Sequence, residues 1–567
     1  MPASSPIPGL AERVRGLAGW RGRLGALVAG AASVLALAPF FAWPILWITL
    51  PILVWLIDGA LERRAPPEDG RWWRRPEAAA AEVGWWFGFG YFLAGLFWIG
   101  EAFLVEAEIF AVLMPLAVIL MPTGLALFYA AAAALAAPFW KAGAWRVVAL
   151  ALSLSAMEWL RGHVLTGFPW NVLGYALTYP LPLMQSAAVV GIYGLTLATV
   201  LIFALPPVLW CEASQAWSRR RGIVALSVAL LPLVVAAALG YARLALAQSA
   251  TVPGVKIRIV QPSVPQREKW RPENQEPIFL DHLQLSKRDA AGNVDDLAGI
   301  SHIIWAEAAM PFMPLDTPEA LAAIARFLPQ GTILITGALR AERAHPQSPR
   351  LRNFFNSLLV FGAGGVLLTR YDKIHLVPFG EYLPMQGLLE GIGLQQLSRL
   401  RGGFEAGISP RPLLDIPGLP RSVPLICYEA IFPRAIVQGA DRPGLIVNVT
   451  NDGWFGNTTG PRQHLHQARV RAVEEGIPLI RAANNGVSAA FDGYGRSLGV
   501  LDLDARGVLD VALPLALQLP LYAKLGDTIF FTVWLLGVVI LGRVVWRKPH
   551  TCSNVPLSAK PEGNTGS

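Results

Sequence analysis

The sequence predicts an integral membrane protein, a bundle of eight apolar helices with one layered α/β domain inserted before the last of them. Three observations carry this. Hydrophobic residues make up 54% of the 567 and charged residues only 15%, with a mean hydropathy of +0.45, which is too apolar for an ordinary soluble protein. Apolar stretches able to cross roughly 30 Å of hydrocarbon recur at 24–41, 43–57, 83–99, 109–137, 147–160, 187–209, 223–241 and 528–545. Residues 255–513, by contrast, have the composition of a globular domain with short β-branched runs between turn residues, and are long enough to build a core of their own.

The elements follow in order. A basic segment 1–23 leads into seven spans over 24–245; the α/β domain occupies 255–513; an eighth span covers 525–545; and the tail 546–567, rich in Ser, Pro, Gly and Lys, is expected to be disordered. Orientation follows from the cations, because Lys and Arg of short loops stay on the cytoplasmic side. Arg13, Arg15, Arg21 and Arg23 precede the first span; Arg63, Arg64, Arg71, Arg74 and Arg75 follow the second; Lys141 and Arg146 follow the fourth. Arg219, Arg220 and Arg221 follow the sixth span and Arg543, Arg547 and Lys548 close the eighth, whereas the loop after the third carries Glu101, Glu106 and Glu108. Both termini are therefore expected in the cytoplasm, and the α/β domain on the opposite face, the periplasm of a bacterium with two membranes. The net charge of +8 is explained by these dispersed loops, so a nucleic-acid partner is not expected.

The basic start is read as a retained anchor, since no small-residue cleavage site clearly follows the first apolar run. The three cysteines, Cys211, Cys427 and Cys552, fall at a membrane edge, in the α/β domain and in the tail, and no disulfide is expected between them. That leaves Cys427 as a lone thiol in an oxidising compartment, where an unneeded exposed thiol is a liability.

Within the domain, strands are expected at 256–260, 302–305, 332–336, 357–361, 366–371, 423–427, 445–449, 479–482 and 487–491, with helices at 318–327 and 464–475. Their mixed alternation indicates a layered α/β sandwich.

Three short segments carry chemistry: Ile303-Ile304-Trp305-Ala306-Glu307, Tyr371-Asp372-Lys373 and Leu425-Ile426-Cys427-Tyr428-Glu429. Each places a reactive side chain at or just past a strand end, where catalytic groups collect. Taken singly, Glu307 reads as an ion-pairing residue, Lys373 as a surface lysine and Cys427 as a core thiol. Taken together they supply a proton acceptor, a fixed cation and a nucleophile, the parts needed for acyl transfer through a thioester. Desolvation would raise Glu307 toward the basicity that deprotonates a thiol, and Lys373 with a backbone N–H near Tyr428 would hold the oxyanion. Glu381 and Glu429 are candidates to orient the lysine or to act as a second proton acceptor. No Cys/His cluster has metal-ligand spacing and no phosphate loop is present, so neither a metal nor another cofactor is expected. His464 and His466 are read as structural.

These segments resemble the nitrilase superfamily, and with the flanking spans the whole chain resembles the apolipoprotein N-acyltransferase family. The similarity extends to Glu158-Trp159-Leu160-Arg161-Gly162, Thr166-Gly167-Phe168-Pro169-Trp170-Asn171, Gln261-Pro262-Ser263-Val264-Pro265-Gln266, the run 373–384, and Asn448-Val449-Thr450-Asn451-Asp452-Gly453-Trp454-Phe455-Gly456. It departs at Ala306, where proline is usual, and at His163, where a bulky aromatic is common. The resemblance implies an α-β-β-α sandwich with Glu307, Lys373 and Cys427 as its triad, and roles in activity for Trp270, Glu381, Tyr428 and Glu429. It implies an inner-membrane enzyme that moves the sn-1 chain of a phospholipid, phosphatidylethanolamine in the first instance, to the α-amine of a diacylglyceryl-cysteine on an apolipoprotein, acting as a monomer. Aromatic and apolar residues of the loop 164–182, with Trp454 and Phe455, are candidates for an acyl-chain or lid surface; interfacial anchoring is their simpler role. Two other readings stay open from the residues: a membrane-anchored amidase acting on a small soluble amide, and a transporter with a noncatalytic external domain, which would call for more ionisable residues within the spans than Glu158 and Glu82.

Overall fold

The computed structural model describes residues 6–63, 75–212, 219–248, 250–295, 297–343, 351–391, 396–398, 403–439 and 441–546. The expected tail and Cys552 lie outside them. Every apolar segment named above contains helix: Gly19–Ser33, Leu46–Glu62, Pro76–Leu96, Met114–Ala136, Ala144–Arg161, Ala187–Glu212, Arg219–Ala245 and Thr528–Trp546. Among the described residues four helical stretches are long and apolar enough to cross a membrane: Trp43–Glu62, Ala107–Phe139, Ala187–Trp210 and Thr528–Val545. Close packing between helices rests on small residues. Gly30 and Gly90 sit at the crossing of Gly19–Ser33 with Pro76–Leu96, and a Cβ on either would collide with backbone carbonyl of the facing helix, that of Phe87 or Leu27.

The α/β domain holds eleven strands: β1 Thr251–Gln261, β2 His302–Trp305, β3 Ile333–Arg343, β4 Leu351–Phe361, β5 Leu367–Asp372, β6 Ser422–Ile426, β7 Leu445–Thr450, β8 Leu479–Ala483, β9 Ser488–Phe491, β10 Ser497–Leu501 and β11 Gly507–Pro514. They form a six-stranded sheet, β11-β1-β2-β3-β4-β5, and a five-stranded sheet, β10-β9-β8-β7-β6. The pairs β1/β2, β2/β3, β6/β7 and β7/β8 are parallel and the others antiparallel.

Alternation along each strand builds the layers. Ile257, Ile259, Ile304, Ile335, Leu358 and Val360 of one sheet share a core with Ile426, Val447, Val449, Ile480 and Ala490 of the other. The intervening residues face outward, Ile303, Trp305, Leu334 and Leu359 onto the helices Gln275–Ser286 and Pro318–Phe327, and Val423, Leu425, Ile446 and Leu479 onto the helix Gly460–Glu475. The result is an α-β-β-α sandwich. Two strands and three α-helices of the domain escape the sequence reading: β10, β11, Gln266–Lys269, Gln275–Ser286 and Gln386–Gly391. The burial of β10 and β11 is patchy, and Gln275–Ser286 carries polar residues on much of its surface, so neither shows a clean period.

The helix Gly460–Glu475 also joins the domain to the bundle. Gln463 Oε1 accepts from the indole N–H groups of Trp170 (2.8 Å) and Trp98 (3.2 Å), Thr178 Oγ1 lies 2.6 Å from His466 Nε2, and Glu474 Oε1 accepts from the Ile192 N–H at 3.0 Å. The same helix thus covers the catalytic-side sheet and seats it on the membrane helices.

Ile480→Ala should destabilise the sandwich by about 2–5 kcal/mol through the cavity left between the sheets, read as a lower Tm of the detergent-solubilised protein; an unchanged Tm would contradict a shared inter-sheet core.

Candidate active site

Glu307, Lys373 and Cys427 come from three different strand ends, two residues past β2 and directly after β5 and β6, and the fold brings them together. Lys373 Nζ is 2.9 Å from a Glu381 carboxylate oxygen and 3.8 Å from Glu307 Oε1. Cys427 is buried and feels the charges of both Glu307 and Lys373. It opens the short 3-10 turn Cys427–Ile431 with φ +48°, a left-handed conformation that costs a non-glycine residue energy and is retained where the surroundings enforce it. Ala308, next to Glu307, has φ +46° and Phe379, near Glu381, has φ +62°, so two further left-handed residues adjoin the same group of side chains.

The Glu307 segment is held on both sides. Its Oε1 accepts from Asn356 Nδ2 (2.7 Å) and its Oε2 from the Asn451 N–H (2.9 Å), while Lys269 Nζ donates to its backbone carbonyl at 3.0 Å. Beneath it lies Gly337 of β3, hydrogen-bonded to Ala306 and Ala309; a Cβ there would come 2.5 Å from Glu307 Cα. Only glycine lets the Glu307 turn approach the sheet this closely.

Burial pushes the Glu307 carboxyl above its ordinary value, with Glu381 adding to this and Lys373 opposing it. Burial alone would depress the Lys373 ammonium, but Glu381 and Glu307 more than reverse that and fix its proton. Burial and the Glu307 charge push the Cys427 thiol well up against the pull of Lys373, so the resting nucleophile is a thiol beside a carboxylate of raised basicity. Burial draws Lys269 down to about 8 despite Glu307.

Glu381 bridges Lys373, Asn356 Nδ2 (2.9 Å) and the Val377 N–H (2.8 Å). Glu429 is fully buried: Oε1 accepts from Tyr371 Oη (2.6 Å), Arg411 Nη2 (2.8 Å) and the N–H groups of Ile374 and His375 (both 3.1 Å), and Oε2 from the Ile426 N–H (2.8 Å). Tyr428 Oη donates to the Gly167 carbonyl at 3.0 Å, so the residue after the nucleophile rests on the bundle loop. Phe455 packs with ring centroids 4.5 Å from Trp98 and 5.8 Å from Trp170. Trp454, in the same 3-10 turn, is half-buried. Trp270 is 39% exposed with the Lys269 ammonium 6.0 Å from its ring, one residue from the lysine that holds the Glu307 carbonyl.

Sequence reasoning missed Asn356, Asn451 and Lys269, which touch Glu307. Lys269 stands in the run before Trp270 and Asn451 in the motif around Asp452; an asparagine inside β4 carries no such signal. It also set His464 aside. His464 Nε2 lies 3.1 Å from the Cys427 carbonyl oxygen, and its Nδ1 lies 2.9 Å from Asp452 Oδ1. Ligand atoms of Cys427, Asp452 and His464 fall within 4.8 Å of one another, but the Arg481 guanidinium, 2.7 Å from Asp452 and 3.1 Å from His464 Nδ1, already holds the cation position and fits a metal poorly.

Gly337→Ala should cut turnover by about a hundredfold through misplacement of Glu307, measured as kcat. For Asp452, burial raises the carboxyl but Arg481 and His464 hold it down at about 2. Its folded pKa lies below the ordinary 3.8, so its contribution to stability is complete above pH 3.8 and is lost as the pH falls toward about 2. Asp452→Asn should therefore flatten the fall in Tm over that acid window.

Two family models match the chain: apolipoprotein N-acyltransferase N-terminal domain over residues 29–205 and carbon-nitrogen hydrolase over residues 256–518. The apolipoprotein N-acyltransferase of Rhodopseudomonas palustris is 48% identical over 509 residues, covering 90% of this chain and 92% of that one. The protein of the same name from Bradyrhizobium diazoefficiens is 46% identical, covering 94% and 96%, and that from Brucella suis is 44% identical, covering 90% and 92%. With a carbon-nitrogen hydrolase sandwich set on an N-acyltransferase membrane domain, the chain belongs to the apolipoprotein N-acyltransferase family.

Proposed function

We propose that this enzyme transfers the sn-1 acyl chain of a membrane phospholipid, phosphatidylethanolamine in the first instance, to the α-amine of the diacylglyceryl-cysteine at the start of an apolipoprotein. The observation that carries the mechanism is the convergence of a buried thiol, a carboxylate of raised pKa and an ammonium at the ends of β6, β2 and β5. As the Cys427 sulfur bonds to the ester carbonyl, its proton passes to Glu307. Lys373 and the Tyr428 N–H hold the oxyanion of the tetrahedral adduct. The C–O bond breaks, the lysophospholipid oxygen takes the proton back from Glu307, and a thioester remains. The incoming amine attacks this thioester, Glu307 takes its proton, and the amide leaves as the C–S bond breaks and the thiol is restored. The cycle is ping-pong, and Glu381 and Glu429 fix the lysine and the nucleophile within it.

The membrane arrangement fits both substrates, which keep their chains in the bilayer. Eight helices span the bacterial inner membrane with both termini in the cytoplasm, and the domain sits on the periplasmic face, where the arginine-rich loops are absent. Docking of Tyr428 on Gly167 and of Phe455 on Trp98 and Trp170 supports a reaction held at the bilayer surface, with proximity supplied by that surface. Trp454 and Phe455 line the route of the acyl chain, and the enzyme works as a single copy.

Mass spectrometry after incubation with phosphatidylethanolamine should show an acyl-sized mass on the Cys427 peptide, removed by hydroxylamine and missing in Cys427→Ser. Intact lipid and an unmodified peptide in the wild type, with turnover of a soluble amide, would replace this reading with an amidase. Trp454→Ser with Phe455→Ser should lower turnover of membrane-embedded substrate about tenfold or more; unchanged turnover would remove the acyl-chain role.

A further inference from the structure

The triad leaves unexplained what holds Cys427 in a left-handed conformation at the end of β6. The answer lies behind it, in four residues from β7, β8, the turn after β7 and the helix Gly460–Glu475. Asp452 is buried and central: its Oδ2 pairs with Arg481 Nη2 at 2.7 Å, and its Oδ1 accepts from Thr450 Oγ1 at 3.0 Å and lies 2.9 Å from His464 Nδ1. Of these neighbours His464 reaches Cys427: its Nε2 donates to the Cys427 carbonyl at 3.1 Å. Burial and the Arg481 charge lower the His464 pKa, so the imidazole is neutral and its Nδ1 accepts from Arg481 Nη2 at 3.1 Å. The contacts therefore form a chain, from the Cys427 carbonyl to His464, to Arg481 and to Asp452, whose other oxygen Thr450 holds. Asp452, His464 and Arg481 have no exposed side-chain surface, and Thr450 is buried.

In a hydrolase triad an Asp–His pair is aimed at the nucleophile's reacting atom and takes its proton. Here the histidine is aimed one residue's backbone away, at the carbonyl, and Glu307 is left as the proton acceptor. A charged pair buried at this depth is costly unless every lone pair is engaged, and both Asp452 oxygens are.

We propose that Thr450, Asp452, His464 and Arg481 are positioning residues that grip Cys427 by its carbonyl, fixing the strained conformation from which the sulfur attacks. Only the lipid readout below rests on the acyl-transfer reading; alkylation of Cys427 does not.

Thr450→Val removes the hydroxyl with little change of shape, and Thr450→Ser keeps it. His464→Ala removes the donor to the carbonyl, and His464→Gln retains an N–H group of similar reach. Each variant is assayed in full-length protein by iodoacetamide alkylation of the Cys427 peptide across pH, and by the rate of thioester formation from phosphatidylethanolamine. His464→Ala should slow alkylation of Cys427 about tenfold at fixed pH. It should also slow thioester formation about a hundredfold with KM within twofold of wild type. His464→Gln should recover part of both losses, and Thr450→Val, which releases Asp452, should show a smaller loss that Thr450→Ser restores. Wild-type alkylation in Thr450→Val and His464→Ala would overturn the clamp, as would equal losses in Thr450→Val and Thr450→Ser. If wild type forms no thioester while alkylation of the variants slows as described, the acyl-transfer reading fails and the clamp stands.

Discussion

The carboxylate of Glu429 is the constraint on which the geometry of the pocket depends. One buried group accepts five hydrogen bonds from three separate stretches of chain: Tyr371, Ile374 and His375 around the end of β5, Arg411 from the loop before β6, and Ile426 at the end of β6. Ile374 follows Lys373 and Ile426 precedes Cys427, so the span between cation and nucleophile is set by the reach of one side chain. Burial disfavours the charged form, yet Arg411 and the converging donors hold the Glu429 pKa below its ordinary value. A neutral amide there could not accept from all five and would leave the Arg411 charge buried without its partner, which is the costly way to break such a pair. Removing this carboxylate would therefore destabilise the folded pocket as well as displace Lys373 and Cys427.

The second organising element is the helix Gly460–Glu475, which serves three surfaces at once. Ala468 and Ala472 pack on the five-stranded sheet, His464 reaches the nucleophile's carbonyl, and Gln463, His466 and Glu474 meet the bundle. Nearly all of its residues are buried. Polar residues predominate along it, because each surface it touches is partly backbone or indole N–H rather than hydrocarbon, and a buried donor needs an acceptor. The rigid seat of the domain on the bundle and the rigidity of the nucleophile are consequences of the same segment.

Much of this was legible in the sequence. Glu307, Lys373 and Cys427 stand at the ends of apolar strands whose alternation is clean, and Glu381, Tyr428 and Glu429 fall in the same short motifs. Among the described residues four of the eight expected spans form helices long and apolar enough to cross a membrane. What was hidden has physical reasons. Asn356 touches two carboxylates from the middle of a strand, where a polar residue looks like an ordinary outward position. His464 lies on a helix without an apolar stripe, because the face that periodicity would mark is polar here. Strands β10 and β11 are half exposed and lack the continuous apolar run of a buried strand.

The charge balance of the pocket sets the protonation state of the Cys427 thiol. Lys373 is committed to Glu381 and lies 3.8 Å from Glu307, so a thiolate would add a further negative charge to a site already holding two carboxylates around that ammonium. Burial penalises that charge again. The resting sulfur is therefore protonated, and a thiol reacts slowly with oxidants. In the proposed reaction attack becomes favourable only when an ester carbonyl is present to receive the electron pair, because the charge then moves from sulfur to an oxygen facing Lys373 while the proton moves to Glu307. Reactivity is thus tied to occupancy of the site by substrate, and the raised basicity of Glu307 together with the locked proton of Lys373 are the two conditions that make this exchange possible.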